Sequence, residues 1–259
     1  MLINEWQYEL TIWIWLGIAA GTFILLMFVR APYGRHERPG WGARIPARLG
    51  WIIMESPCII VMTVLFGISA SSWDLVDPVG IIFYIMWMTH YIHRSWVWPA
   101  RAHITGKKMP ISISLFAVGF NSINSWLNAE WIFNLHHPYS YTWLYSPQFI
   151  IGVVLFITGM GINIKADDML FSLRKKGTNN YKIPRGGLFQ WVSCPNYFGE
   201  ILEWFGWALA TWSLAGLAFA LWAVANLVPR ARSHHKWYLE NFIDYPKDRQ
   251  ALIPKIWKK

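Results

Sequence analysis

Long apolar runs alternate with short polar stretches along the whole chain. Seven apolar segments are legible, at residues 10–29, 50–70, 79–98, 111–133, 148–165, 199–212 and 216–229. A helix needs about 20 apolar residues to cross hydrocarbon, so the pattern predicts an all-α integral membrane protein with seven transmembrane helices. The last two segments are short enough to form a re-entrant pair instead. One stretch, residues 159–203, departs from the pattern. Asn163, Asp167, Asp168 and Arg174 follow an apolar run without a break, and Asn196, Glu200 and Glu203 precede or enter the next. Such side chains are costly in lipid and mark functional positions, which points to a site built at a membrane surface.

Composition agrees with the segment pattern. The 259 residues are 55% hydrophobic and only 14% charged, against roughly a quarter charged in soluble domains. Nineteen tryptophans suit the two membrane interfaces. The net charge of +9 is confined to alternate loops. Arg30, Arg35, Arg38, Arg44 and Arg48 follow the first segment, and Arg101, Lys107 and Lys108 follow the third. Lys165, Arg174, Lys175, Lys176, Lys182 and Arg185 follow the fifth, with Arg230, Arg232 and Lys236 after the seventh. The opposite side carries Glu5, Glu9, Asp74 and Asp77, and no Lys or Arg between 134 and 147. The positive-inside rule then predicts the N-terminus outside and the C-terminus in the cytoplasm, which needs an odd number of crossings. Topology accounts for the basic excess, and no nucleic-acid partner is called for. The acidic N-terminus lacks a cleavage pattern, so the first segment is expected to stay as a helix. Cys58 and Cys194 fall at different depths and look structural, and no metal-ligand spacing is present. One domain, residues 1–259, is the economical reading.

Two ionisable residues inside segments stand out. Glu55 lies about one turn inside the second, and Tyr91 lies roughly 10 Å inside the third, at 1.5 Å rise per residue. Antiparallel helices bring this carboxyl and phenol to similar depth, with His90 and Arg94 nearby. Glu55 can pair with Arg94 to join two helices. Alternatively, withdrawn from water, it keeps its proton and joins Tyr91 as a second donor aimed at a carbonyl oxygen.

The cytoplasmic tract offers different chemistry. Arg174, Lys175, Lys176, Lys182, Arg185, Arg230, Arg232, His234 and His235, with Lys107, can gather around phosphates. Anionic headgroups explain most of the lysines equally well. They do not call for Asn163, Asp167, Asn196 and Glu200, which suit ribose hydroxyls and a carboxamide. Gly159 and Gly161 form a lone G-x-G without a preceding strand, a helix-packing pattern and not a Rossmann fingerprint. Gly186 and Gly187 after Pro184 mark a turn.

The tracts GMGINIKADDMLFSLRKKG, YKIPRGGLFQWVSCPNYFGEILEWFGWALATWSLAGLAFALW and HHKWYLENFIDYPKDRQALIP closely resemble the C-terminal half of steroid 5α-reductases. PYGRH, RIPARLGWIIMESP and THYIHRSWVWP resemble the N-terminal half. The compact loops suit a prokaryotic member of the family. The resemblance implies a seven-helix oxidoreductase that uses NADPH to reduce the 4,5 double bond of a 3-oxo-Δ4-steroid such as testosterone or progesterone. It implies that Glu55 and Tyr91 meet the 3-ketone. It gives cofactor contacts to Lys107, Asn163, Asp167, Arg174, Tyr181, Asn196, Glu200, His234, Tyr238 and Arg249. Trp51, Met54, Phe116, Phe219 and Trp222 are implied to line the steroid cavity, so that residues 1–135 serve mainly the substrate and 136–259 mainly NADPH. A monomer in contact with membrane lipid is expected, in the plasma membrane of a prokaryote or the endoplasmic reticulum of a eukaryote. Three departures bear on substrate range: Met54 stands where mammalian members carry Gln, Lys107 stands for an arginine, and Asn226 replaces an aromatic. Other readings are a reductase of a sterol, polyprenol or enoyl lipid, an S-adenosylmethionine-dependent methyltransferase, and a non-enzymatic sterol-binding protein.

Overall fold

The structure, a computed structural model, describes residues 4–29, 40–71, 77–173 and 181–254. Arg174 and the PYGRH tract therefore lie outside the described residues. Helix α1 (Glu5–Phe28) starts at a capping box, in which Asn4 and Gln7 each accept the other's backbone N–H. Strand β1 (Arg44–Pro46) leads into α2 (Ala47–Ala70). Helix α3 (Pro78–Ile92) is opened by the Asp77 carboxylate, which accepts from the N–H groups of Val79 and Gly80, and by Pro78 in its first turn. It continues through a π turn (His93–Val97) into the short α4 (Trp98–Arg101). Strand β2 (Lys108–Pro110) precedes α5 (Ile111–Glu130), which also ends in a π turn. Helices α6 (Pro147–Leu173), α7 (Pro195–Thr211) and α8 (Leu214–Asn241) complete the bundle.

Among the described residues, four helices, α1, α2, α6 and α8, are long and apolar enough to cross a membrane. The outward faces of α1, α2 and α6 carry Trp13, Ile24, Ile60, Ile68, Val154 and Ile157, all at least half exposed, a surface suited to lipid. The other three run at the positions of the remaining apolar segments but differ in kind. Helix α3 spans only 15 residues before its π turn, α5 buries Asn121, Asn124 and Asn128, and α7 spans 17 residues and carries Glu200 and Glu203. Several helices also run past the apolar stretches that announced them. Helix α6 reaches Leu173 and α8 reaches Asn241, because backbone hydrogen bonding continues after the side chains turn polar.

Helices α6 and α7 approach backbone to backbone at their glycines. A Cβ on Gly152 would meet the backbone of Ala210, one on Gly159 the backbone of Gly199 and Glu203, and one on Gly206 the backbone of Phe156 and Gly152. Gly161, the other glycine of the G-x-G, faces open space, so only Gly159 is a packing residue. A left-handed Trp212 (φ 47°) and the capping residue Ser213 turn α7 directly into α8.

The core between the helices is aromatic. Trp87, Trp204, Trp207, Phe83 and Phe219 are nearly or fully buried, with Trp204 and Phe219 ring centroids 4.0 Å apart. Strands β1 and β2 pair antiparallel, Arg44 with Pro110 and Pro46 with Lys108, which fixes the Lys107 loop beside the start of α2. Cys58 and Cys194 are both free and buried.

Candidate active site

Two cavities lie end to end inside the bundle. The outer, about 210 Å³, is edged with polar groups: Lys107 and Lys108, Asp167, Tyr181, Asn196, Tyr197, Arg230, His234 and Tyr238 line it among others. The inner, about 170 Å³, is walled by Trp51, Met54, Phe120, Trp204, Phe219 and Trp222, and Glu55, His90, Tyr91 and Glu200 open onto it. Trp51, Arg94 and Leu227 belong to both linings and form the partition.

Arg94 stands on the π turn that prolongs α3, a distortion that re-aims side chains relative to a regular helix. Its guanidinium lies 4.9 Å from the Trp51 ring and 5.5 Å from the Trp98 ring. Its Nε is 3.7 Å from Glu55 Oε1, and its Nη2 is 3.9 Å from Glu200 Oε2. Close charge-assisted bonds run at about 2.7–2.9 Å, so Arg94 is shared loosely between two carboxyl groups and neutralises neither by direct contact.

A polar chain continues from there across three elements. Asn163 Nδ2 donates to Glu200 Oε2 at 3.3 Å and to the Asn196 carbonyl at 3.0 Å. Asn196 Nδ2 donates to Asp167 Oδ1 at 3.1 Å, and Trp98 Nε1 donates to Asp167 Oδ2 at 2.6 Å. On the far side of Arg94, Asn121 Nδ2 donates to Glu55 Oε2 at 3.3 Å. Every link joins different helices, and those of Asn163 and Asn196 depend on the close approach of α6 and α7. The order of residues before α7 is fixed from outside: Gln250 and Ala251 hydrogen-bond the backbone of residues 191–194, pinning the strand that leads into Asn196. Gly186 (φ 91°) and Gly187 (φ 50°), both in the left-handed region, make the turn ahead of it.

The residues singled out in the sequence fall as follows. Glu55 and Tyr91 share the inner cavity with Trp51, Met54, Phe219 and Trp222. Lys107, Asp167, Tyr181, Asn196, His234 and Tyr238 share the outer one, with Asn163 bonded behind them, and Glu200 lines the inner. Phe116 does not join the wall expected of it: it is 71% exposed, and the α5 stripe facing the cavity is Ile113, Ala117 and Phe120, at i, i+4 and i+7. Arg249 also stands apart from both cavities, buried with its guanidinium carbon 5.0 Å from the Tyr245 ring centroid. Burial pushes the Tyr245 phenol above its ordinary range, while bonding to Ser193 and the nearby Arg249 opposes the shift. The two halves of the chain interdigitate, since Lys107 reaches the outer cavity and Phe219 and Trp222 reach the inner.

Three contributors were not singled out as site residues: Trp98, Tyr197 and the bridging position of Arg94. Tyr197 accepts from Arg230 Nε at 2.8 Å and pairs with His234 Nε2 at 3.2 Å, knitting the α7 and α8 walls of the outer cavity. Its place beside Asn196 was the only sequence signal for it.

The donor set of the outer cavity is of the kind that a phosphate-bearing cofactor takes. Lys107, Lys108, Arg230 and His234 offer cationic or N–H groups of the kind that hold phosphates, and Asn196 adds an amide; Glu200 lines the inner cavity and is tied to Asn196 through Asn163. The outer cavity meets the inner at Trp51, Arg94 and Leu227, with Glu200 on the inner side.

A family model described as 3-oxo-5-alpha-steroid 4-dehydrogenase matches residues 107–257. The chain is 45% identical over 244 residues to a steroid 5-alpha-reductase of Gossypium hirsutum, covering 93% of each chain. It is 41% identical over 233 residues to 3-oxo-5-alpha-steroid 4-dehydrogenase 1 of Bos taurus, covering 90% of each. The same enzyme of Homo sapiens is 41% identical over 225 residues, covering 87% of this chain and 86% of its own. These matches over most of its length show that the chain belongs to the steroid 5-alpha-reductase family, the 3-oxo-5-alpha-steroid 4-dehydrogenases.

Proposed function

We propose that this enzyme, a steroid 5-alpha-reductase of the membrane, uses NADPH to reduce the 4,5 double bond of 3-oxo-Δ4-steroids such as testosterone or progesterone. The observation that carries the reading is the meeting of Glu55 and Tyr91, from α2 and α3, on one aromatic cavity that abuts a cation-rich one. NADPH, bound by the outer cavity, supplies a hydride to the carbon β to the ketone. A conjugated enone resists hydride until the charge growing on its oxygen is stabilised. Tyr91 donates one hydrogen bond to that oxygen, and Glu55, carrying its own proton, donates a second. The long Arg94 contact leaves Glu55 free to hold that proton. Asn163 and Asp167 orient Asn196, which with Glu200 holds the carboxamide. Trp51, Met54, Phe219 and Trp222 exclude water and hold the steroid rings.

The protein acts as a single domain and a monomer, with seven helices crossing the bilayer, the N-terminus outside and the C-terminus cytoplasmic. That topology gives NADPH access to the outer cavity from the cytoplasm, at the plasma membrane of a prokaryote or the endoplasmic reticulum of a eukaryote. Purified protein with NADPH and testosterone is expected to show saturable cofactor oxidation and a 5α-configured product. No oxidation with any 3-oxo-Δ4-steroid would sink the reading.

A further inference from the structure

The reduction needs a proton at the α carbon as well as a hydride at the β carbon, and the pair that holds the ketone does not supply it. Among the described residues, five titratable side chains line the inner cavity: Glu55, His90, Tyr91, Arg94 and Glu200. Glu55 and Tyr91 are engaged at the ketone oxygen in the reading above, on which this inference rests. Arg94 does not give up its proton. Glu200 accepts from Asn163 and faces Arg94, the surroundings of a carboxylate and not of an acid. His90 is left.

His90 has a partner built for it. Its Nδ1 is 2.7 Å from Glu203 Oε1, across 113 residues of sequence and between α3 and α7. The His90 side chain is 7% exposed and that of Glu203 is fully buried. The second oxygen of Glu203 has no hydrogen-bond partner among the described residues. An apolar pair would fill the same space without the desolvation cost of a buried carboxyl, so packing alone does not account for these two residues. With Nδ1 taken by Glu203, Nε2 is the ring nitrogen left for the cavity that His90 lines. The ring is wedged edge-on between Tyr91, 4.8 Å away by centroids, and Trp204 at 4.5 Å, which fixes its plane beside the phenol that meets the ketone.

We propose that His90 protonates the α carbon of the enone and that Glu203 is the proton reserve behind it. Before the step, Glu203 is a neutral acid donating to His90 Nδ1, and His90 Nε2 carries the other proton. Once hydride has been added at the β carbon, the enolate pair forms a C–H bond at the α carbon as the Nε2–H bond breaks. The Glu203 O–H bond breaks in turn as its proton passes to Nδ1. The product is the saturated ketone, the imidazole is again neutral with its proton on the other nitrogen, and Glu203 is left as a carboxylate. One solvent proton and a tautomer exchange restore the starting pair.

The test is turnover in deuterated water with unlabelled NADPH, followed by immediate ketone reduction to stop exchange and by NMR of the product. Wild-type enzyme is expected to place deuterium in one of the two C4 positions only. His90→Gln is expected to lower kcat about 100-fold and distribute the label over both positions, with KM for NADPH changed by less than about threefold. Glu203→Gln, which keeps a donor to Nδ1 but no mobile proton, is expected to lower kcat at least tenfold. Should His90→Gln fail to bind NADPH, the Glu203→Gln variant and the wild-type label decide. Label at both positions in wild type, wild-type kcat in either variant, or slow His90→Gln turnover with the label still confined to one position would each overturn the proposal. Absence of any steroid product from wild type would instead remove the reductase reading itself.

Discussion

Arg94 shows how much one side chain can decide in a site of this kind. It separates a cavity suited to a charged cofactor from one suited to rings, and it reaches both carboxyl groups without closing on either. On the substrate side, Tyr91→Phe removes one of the two donors that we propose for the ketone oxygen. We expect kcat to fall by roughly 100-fold to 1,000-fold, with NADPH affinity nearly unchanged, as steady-state kinetics and cofactor titration would read. Wild-type turnover by that variant would refute the role. On the cofactor side, Trp98→Phe strips the 2.6 Å donor from Asp167. That bond is made without the cofactor and acts by holding Asp167 against Asn196, so the dissociation constant of NADPH should rise by no more than about tenfold, measured by fluorescence titration.

At this scale the polar residues were legible because their surroundings are apolar. Asn163, Asp167, Asn196 and Glu200 declared themselves by interrupting helices that lipid would otherwise own. Phe116 did not, since a face toward lipid and a face toward a steroid cavity are equally apolar, and hydropathy cannot tell them apart. The pairing of His90 with Glu203 was also hidden: each residue is visible alone, and only the register of α3 against α7 joins them.

Among the elements, the contact of α6 with α7 is the one on which the links of Asn163 and Asn196 depend. Gly159→Ala pushes a methyl group into the backbone of Gly199 and Glu203. Overpacking of this kind costs about 1–3 kcal/mol, and it also shifts Asn163 from Asn196, so a lower melting temperature and weaker NADPH binding should appear together. Gly161→Ala meets nothing within 4 Å, and in a helix interior it should stabilise by about 0.5–1 kcal/mol. Equal melting temperatures for the two variants would contradict this account. The sequence named both glycines as packing candidates, and periodicity could not choose between them because the neighbouring helix was unknown. The seven apolar segments did foretell where helices run. The π turns were not legible, because an extra residue in a helical turn leaves no mark in composition.

For the whole molecule, alternate loop charge yields a test of orientation. Tyr145 is exposed near the start of α6, and Asp248 is exposed beyond α8. Cysteines introduced at these two positions, with the buried Cys58 and Cys194 changed to serine, should react with a membrane-impermeant maleimide from opposite sides. Tyr145→Cys should react from outside, and Asp248→Cys only after the membrane is opened. Labelling of both from one side would overturn the seven-crossing arrangement.

Because α6 and α7 meet backbone to backbone at Gly152, Gly159 and Gly206 and are also tied by side-chain bonds, they form a single plate bearing Asn163, Asp167, Asn196 and Glu200. The α5 wall of the inner cavity, by contrast, is a stripe of ordinary side chains, Ile113, Ala117 and Phe120, on a helix that carries none of those four residues. Steroid preference is therefore free to drift, or to be redesigned, along that stripe while the redox machinery is inherited intact.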